Sequence, residues 1–299
     1  MNNYLNLPNI PSNLMGNVFL GCRGQGDCRS LTGKVLLTVI MVDDSESSWN
    51  VLAISDYKKK QAAATAKLQA EAKRYGVSLN IGMHYLRSRI EGTFSIQDFS
   101  GWVSKALRGA GLPQEEEVIP MLRRNAGVKE AAIIFAVNRP GRAFAIARNI
   151  QKAFEYTIVY GEDADYRHEL LHLFGAKDFY YPADVKKIAE KYFSDSIMMR
   201  TYGDVKVDEL TAYLVGWTDK VSDKIQRFLT ETSWVTSNIS TMPANQKQKQ
   251  DSEPFSMERP FTPVILQQGF RMERENLYGQ AEILTRASGK TVQFTAEVL

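Results

Sequence analysis

The sequence is short of cysteine, of histidine and of long apolar runs. Its two cysteines in 299 residues, Cys22 and Cys28, both lie in GCRGQGDCR, which excludes a disulfide-stapled scaffold. One spacing does not establish a local disulfide, and the plain reading is two thiols in a flexible N-terminal loop. No apolar run reaches the roughly 20 residues of a membrane span. The start, MNNYLNLPNIPSNLMGNVFLGC, has no basic n-region and is interrupted by Pro8 and Pro11, so it does not read as a signal peptide. The expectation is a cytoplasmic protein, or one exported without a recognisable signal peptide. Charge of one sign is also scarce. The formal net charge is +3, and basic residues alternate with acidic ones, which leaves no clustered footprint for nucleic acid. No long internal repeat stands out.

What is present is an ordinary globular composition, 44% apolar and 24% charged, with enough length for one large domain and an appendage. Residues 1–32 read as irregular, punctuated by Asn, Pro, Gly and Ser. Val35 to Asp44 reads as a buried strand. Trp49 to Tyr75 reads as a long helix rich in Ala, Lys, Gln and Glu, stopped by Gly76. Further strands are expected at Val77 to Arg87, Ala131 to Asn138, Arg142 to Arg148 and Phe154 to Gly161. Helices are expected at about 96–110, with a short one at Pro120 to Asn125. After residue 161 the strand signal fades. Helices are expected at 164–174 and 183–192, and one or two more between Val207 and Glu231. The Lys58–Lys60 run reads as a solvated helix face, and Tyr213 and Trp217 as core. From Thr236 to Pro254 the chain turns polar without period and reads as a linker. Three short strand-like runs follow in 255–299, where Gly269, Gly279 and Gly289 intervene. The expected division is 1–32, 33–235, 236–254 and 255–299. The fold class is α+β: a mixed twisted sheet with long helices, then a mainly helical part.

Chemistry concentrates in YRHELLHLFGAKDFYY, Tyr166 to Tyr181. On a helix, His168 and His172 project from one face, one turn apart, and two such imidazoles can chelate one ion. Glu169 stands about 100° around the helix from His168. It is placed to take a proton from water activated by the ion, as metal-assisted hydrolysis requires. As a bare pattern HExxH recurs by chance. Here it falls on an expected helix and uses two of only three histidines. Gly175, three residues beyond His172, can adopt positive φ and turn the chain back. That turn would present Asp178 as a third ligand beside an open position, an arrangement zinc accepts. Asp178 also reads as a loop acid or helix cap. His84, the third histidine, reads as a satisfied strand residue and is the fallback ligand.

HELLHLFGAKD resembles the elongated zinc motif of the metzincin metallopeptidases, HExxHxxGxxH, in the variant with Asp last that snapalysin-type enzymes carry. FSDSIMMR, Phe193 to Arg200, resembles the metzincin Met-turn, with Met198 the matching methionine. The resemblance spans about residues 33–232. It implies a zincin-like fold, one catalytic Zn2+ held by His168, His172 and Asp178, Glu169 as general base, and a protein or peptide substrate. It also implies that Arg142, Ala143, Phe144, Ala145 and Ile146 belong to an antiparallel edge strand that binds extended substrate. Several metzincins carry a tyrosine two residues after the Met-turn methionine. Here that position is Arg200, and Tyr202 follows.

The resemblance adds a sharper reading of Cys22, since some metzincin precursors are latent through a pro-segment cysteine on the zinc. GCRGQGDC does not match the spelling of that switch. The activity expected is zinc-dependent endopeptidase, narrow in specificity; a further reading is a processing enzyme or effector with one intracellular target selected through 255–299. The alternative is a metal-bearing binding module of the same fold that cleaves little, since fold does not dictate function.

Overall fold

The computed structural model describes residues 7–15, 17–20, 23–93, 99–147, 154–161, 165–201 and 203–234. Internal contacts divide the chain into Met1–Met242 and Pro243–Leu299. The second unit, and with it the expected linker and the strand-like runs of 255–299, lies outside the described residues. Cys22, Arg148 and Tyr202 lie outside them too.

β1 (Gly33–Asp43) is buried on both faces from Leu37 onward, as expected of a central parallel strand. α1 (Val51–Arg74) follows. Asn50 caps it by accepting from the Ala53 N–H at 2.8 Å. Gly76, at φ 75°, ends it where the sequence suggests. Its buried residues Tyr57, Gln61, Ala64, Leu68 and Ala72 recur every three or four positions, which makes one stripe facing the sheet. Lys58 to Lys60 are exposed, with the Lys58 ammonium 4.5 Å from the Tyr85 ring centroid.

β2 (Leu79–Arg89) pairs parallel with β1. α2 (Phe99–Gly109) and α3 (Glu115–Ala126) come next. α3 begins five residues before the expected Pro120. Three glutamates, Glu115 to Glu117, occupy its first turn, where the helix dipole favours negative charge. Pro120 forgoes one backbone hydrogen bond, at an exposed position of the helix.

β3 (Glu130–Val137) and β5 (Tyr156–Tyr160) continue the parallel set and are buried throughout. β4 (Phe144–Ile146) is antiparallel to β5, and the order across the sheet is β2-β1-β3-β5-β4. The expected strand at 142–148 is thus three residues long, and Arg142 and Ala143 precede it. Just before it, Gly141 passes so close to the Tyr160 ring that a Cβ would lie 2.2 Å from it.

After β5 the described chain is helical: α4 (Arg167–Leu173), α5 (Ala183–Phe193), α6 (Glu209–Leu214) and α7 (Asp223–Glu231). The pattern at 207–231 resolves into two helices because Gly216, at φ 85°, stops the first and Ser222 caps the second. Tyr213 and Trp217 are buried, as expected. The molecule is mixed α and β, with a mostly parallel five-stranded sheet. Among the described residues no helix is long and apolar enough to cross a membrane.

Alternate residues of the strands serve two cores. Leu37, Val39, Met41, Ala132, Ile134 and Ala136 face the layer containing α1 and α4 to α7. Ile40, Val42, Ile133, Phe135, Val137 and Ile158 face α2 and α3. The N-terminal segment is irregular apart from a short 3₁₀ turn at Ser12–Leu14, but it is not loose. Leu14, Phe19, Leu20 and Leu31 enter the first core, and the Asn17 amide donates to the Leu229 carbonyl at 2.8 Å. Cys28 is a buried free thiol, pushed well up by burial, and its N–H donates to the Glu155 carboxylate at 3.0 Å. This corrects the reading of Cys28 as a thiol in a flexible loop. The segment carries enough large apolar side chains to dock, a signal its Pro and Gly content obscures.

Candidate metal centre

α4 is short, and tertiary contacts set it. Leu170, Leu171 and Leu173 are fully buried, and the Tyr166 hydroxyl meets the Thr65 hydroxyl of α1 at 2.6 Å. α4 packs against β4, β5 and α1. His168 and His172 leave the same side, with ring centroids 4.8 Å apart.

Each imidazole is oriented from behind by a backbone carbonyl. Nδ1 of His168 lies 2.8 Å from the Ile197 oxygen, and Nδ1 of His172 lies 3.0 Å from the Ala176 oxygen. A carbonyl only accepts, so both Nδ1 atoms carry a proton, and in the neutral ring Nε2 is the atom left to offer a lone pair. This is how metal-ligating histidines are commonly fixed.

Gly175 turns the chain at φ 104°, and the Ala176 N–H closes the helix on the Leu171 oxygen at 3.0 Å. Phe179 then anchors the returning strand of chain. Its N–H donates to the Met198 oxygen at 3.0 Å, and its ring packs on Phe19, Phe193 and Phe228. Asp178, its neighbour, is thereby directed at the histidines. Oδ1 of Asp178 is 3.1 Å from Nε2 of His168 and 3.3 Å from Nε2 of His172, and the two Nε2 atoms are 3.2 Å apart.

These three atoms make a nearly equilateral triangle of lone pairs. Oδ1 of Asp178 is buried and faces only these two imidazole nitrogens. A tetrahedral zinc ion with donors at about 2.0–2.1 Å holds them about 3.3–3.4 Å apart. The donor set and its spacing fit such an ion. Protons are the other way to relieve the repulsion. Burial disfavours the His172 cation, but the Asp178 carboxylate outweighs it and raises the imidazole to about 9. Burial likewise opposes the Asp178 anion, and His172 and His168 override it, holding the carboxyl well below the usual carboxylate range.

Glu169 is buried beside them, and its carboxylate and the two imidazole nitrogens lie within 4.8 Å of one another. Met198 is fully buried in a tight turn that the Met199 N–H closes on the Ser196 oxygen at 3.0 Å. The same turn supplies the Ile197 carbonyl that orients His168. Its Ser196 hydroxyl donates to Asp208 at 2.6 Å and accepts from the Met198 N–H at 3.0 Å.

Phe144, Ala145 and Ile146 are half-buried on β4, beside α4. Arg142 is exposed, and its guanidinium reaches the Tyr180 hydroxyl at 3.4 Å. His84 lies on β2, at the sheet edge opposite β4, so the fallback ligand is remote from the cluster. Sequence reasoning missed Tyr180. Its ring lies near-parallel to that of His168, with centroids 6.5 Å apart and planes at 20°, and burial together with the nearby Asp178 carboxylate pushes its phenol up. Its place two residues beyond Asp178 was the available signal. The backbone carbonyls of Ile197 and Ala176 left none, because any residue type supplies a carbonyl.

No family model matches the chain, and no curated protein matches it. Among solved structures it is similar to the crystal structure of metalloproteinase-II from Bacteroides fragilis, at 11% identity and a TM-score of 0.28. The match covers 68% of this chain and 54% of that one, so the chain spans about half the length of the protein it matches. A likeness of that size carries no argument.

Proposed function

We propose that the chain is a zinc-dependent endopeptidase of metzincin type, with a protein or peptide as substrate. The observation that carries this reading is the triangle of three atoms able to ligate an ion, two imidazole nitrogens and a carboxylate oxygen at 3.1–3.3 Å from one another, with a buried carboxylate beside it. His168, His172 and Asp178 would hold the ion. When bound, zinc supplies a Lewis acid that acidifies water and polarises a peptide carbonyl.

The remaining steps belong to the chain's own groups. Glu169 takes a proton from the attacking water and passes it to the leaving amine. Its burial keeps bulk water from competing for that proton. Substrate lies extended along the outer edge of β4, where among the described residues no strand pairs, and backbone hydrogen bonds align its scissile bond with Glu169. Met198 packs in the turn that carries the Ile197 carbonyl and so keeps His168 in register. The antiparallel pairing of β4 with β5 supports the reading.

The test is cleavage profiling by mass spectrometry. The zinc-loaded full-length protein and its Glu169→Gln variant would each be mixed with a complex set of unfolded proteins. The expectation is new termini with the wild type and about 10²–10⁴-fold slower release with the variant, at equal zinc content. Equal turnover by the variant would sink Glu169 as the base. A zinc-loaded wild type that releases no termini would favour the binding module.

A further inference from the structure

Backbone carbonyls orient both imidazoles, whereas the third ligand is placed by its neighbour. Phe179 follows Asp178 directly, and consecutive Cα atoms are about 3.8 Å apart. A displacement of Phe179 is therefore passed to the carboxylate. Metal–ligand distances tolerate only about ±0.2 Å, so the seat of that phenyl matters to an ion. The seat is a cluster of buried rings. Phe193, at the end of α5, stacks on Phe179 at 5.4 Å, and Phe228 of α7 lies 5.5 Å from it. Phe19 joins them from the irregular N-terminal segment. Its buried ring is edge-on to Phe179 at 6.0 Å and to Phe228 at 5.3 Å. A buried asparagine holds it there. The Asn17 amide donates to the Leu229 carbonyl at 2.8 Å and accepts from the Phe19 N–H at 3.0 Å.

We infer that Phe19 is a positioning residue for the metal centre: its ring seats Phe179, and Phe179 fixes the turn from which Asp178 reaches the two histidines. Removing the Phe19 ring would leave a cavity into which the surroundings relax only in part. Phe193 and Phe228 are carried by helices, while Phe179 stands outside any helix or strand. Its backbone is the one that yields most readily. The N-terminal segment thereby belongs to the frame of the site. The inference rests on the reading of His168, His172 and Asp178 as ligands.

The test is the zinc affinity of the full-length protein, by competition with a chromogenic chelator, at a temperature where each variant is folded by circular dichroism. Loss of an outer partner of a ligand weakens metal binding by about 10–100-fold, and Phe19 acts through one more residue, so about 10-fold is expected of Phe19→Ala. Phe19→Leu refills most of the cavity and should recover most of that loss. Leu14→Ala, a core truncation in the same segment, should lower the melting temperature and leave the affinity unchanged. In an Asp178→Ala background Phe19→Ala should cost nothing further, because the residue through which it acts is gone. Wild-type affinity in Phe19→Ala would overturn the proposal and leave the ligand set standing. An equal loss in Leu14→Ala would overturn it too, since the effect would then be one of stability alone. So would an undiminished penalty in the Asp178→Ala background. Should Phe19→Ala fail to fold, Asn17→Ala releases the clip alone; a smaller loss of affinity is expected there, and wild-type affinity would overturn the proposal. Failure of the wild type to bind zinc would remove the ligand reading and this inference together.

Discussion

The two faces of the sheet bury similar strands and treat polarity in opposite ways. Against α2 and α3 the strands present Ile40, Val42, Ile133, Phe135 and Val137, met by Trp102, Val103, Val118 and Leu122. Phe135 sits edge-on to both Trp102 and Tyr156, at 5.6 Å and 5.4 Å. That face is packing and little else. The opposite face is equally apolar at the strands, but its outer layer contains Gln61, Thr65, Tyr166, His168 and Glu169. These polar groups are tolerated there because most have fixed partners, such as Gln61 to Tyr57 at 2.8 Å and Thr65 to the Gln61 carbonyl at 2.8 Å. One face holds the sheet together, and the other uses that rigidity to aim side chains.

Substitutions should separate the two faces. Phe135→Ala is expected to cost about 3–5 kcal/mol of stability, measured by urea unfolding, while folded protein keeps its zinc affinity. A fall in affinity would show that the far face also shapes the site.

On the site face, pH should act through the ligands. In chelator-stripped protein the His172 imidazole is raised from 6.5 to about 9. Its stabilising contribution is therefore complete below about 6.5 and lost as pH rises through 9. Asp178 is lowered from 3.8, so its contribution is complete above about 4 and lost as pH falls. Metal-free protein should be most stable between about pH 4 and 6.5 and weaker at pH 9, by on the order of 3 kcal/mol or less. Urea titrations across that range check it, and His172→Gln should flatten the alkaline loss. Zinc affinity should move the other way, rising with pH up to about 9 as the competing proton leaves.

Smaller effects sharpen the contrast. Met198→Leu preserves volume and should cost less than about 1.5 kcal/mol, with zinc affinity retained, because Met198 acts by packing. Asn50→Ala removes the cap of α1 and should cost about 1 kcal/mol in thermal unfolding, again without touching zinc.

Legibility followed the range of the interaction. β1, α1, β3 and α5 were readable because periodicity, a buried apolar run or a terminal glycine marks them locally. The candidate ligands were readable because two histidines one helical turn apart and a glycine-turned aspartate are short-range features. α3 was misjudged at its start because a proline signals a helix N-terminus more strongly than three glutamates do. β4 was overextended because the alternation of Arg142 to Arg148 is local, whereas the pairing with β5 that ends at Phe144–Ile146 is a long-range contact. The docking of the N-terminal segment depends on partners some 200 residues away, such as Leu229 for Asn17.

The sequence by itself determined the kinds of atom available for chemistry: two imidazoles, two carboxylates and their spacing around one helix and one turn. Only the tertiary structure decided their states and directions. Carbonyls from Ile197 and Ala176 assign the imidazole protons, the Phe179 anchor brings Asp178 within 3.3 Å of both rings, and Tyr180 comes to rest beside the carboxylate. The physical reason is that backbone carbonyls and ring stacks belong to no residue type in particular, so they acquire a role only when folding brings distant segments into contact.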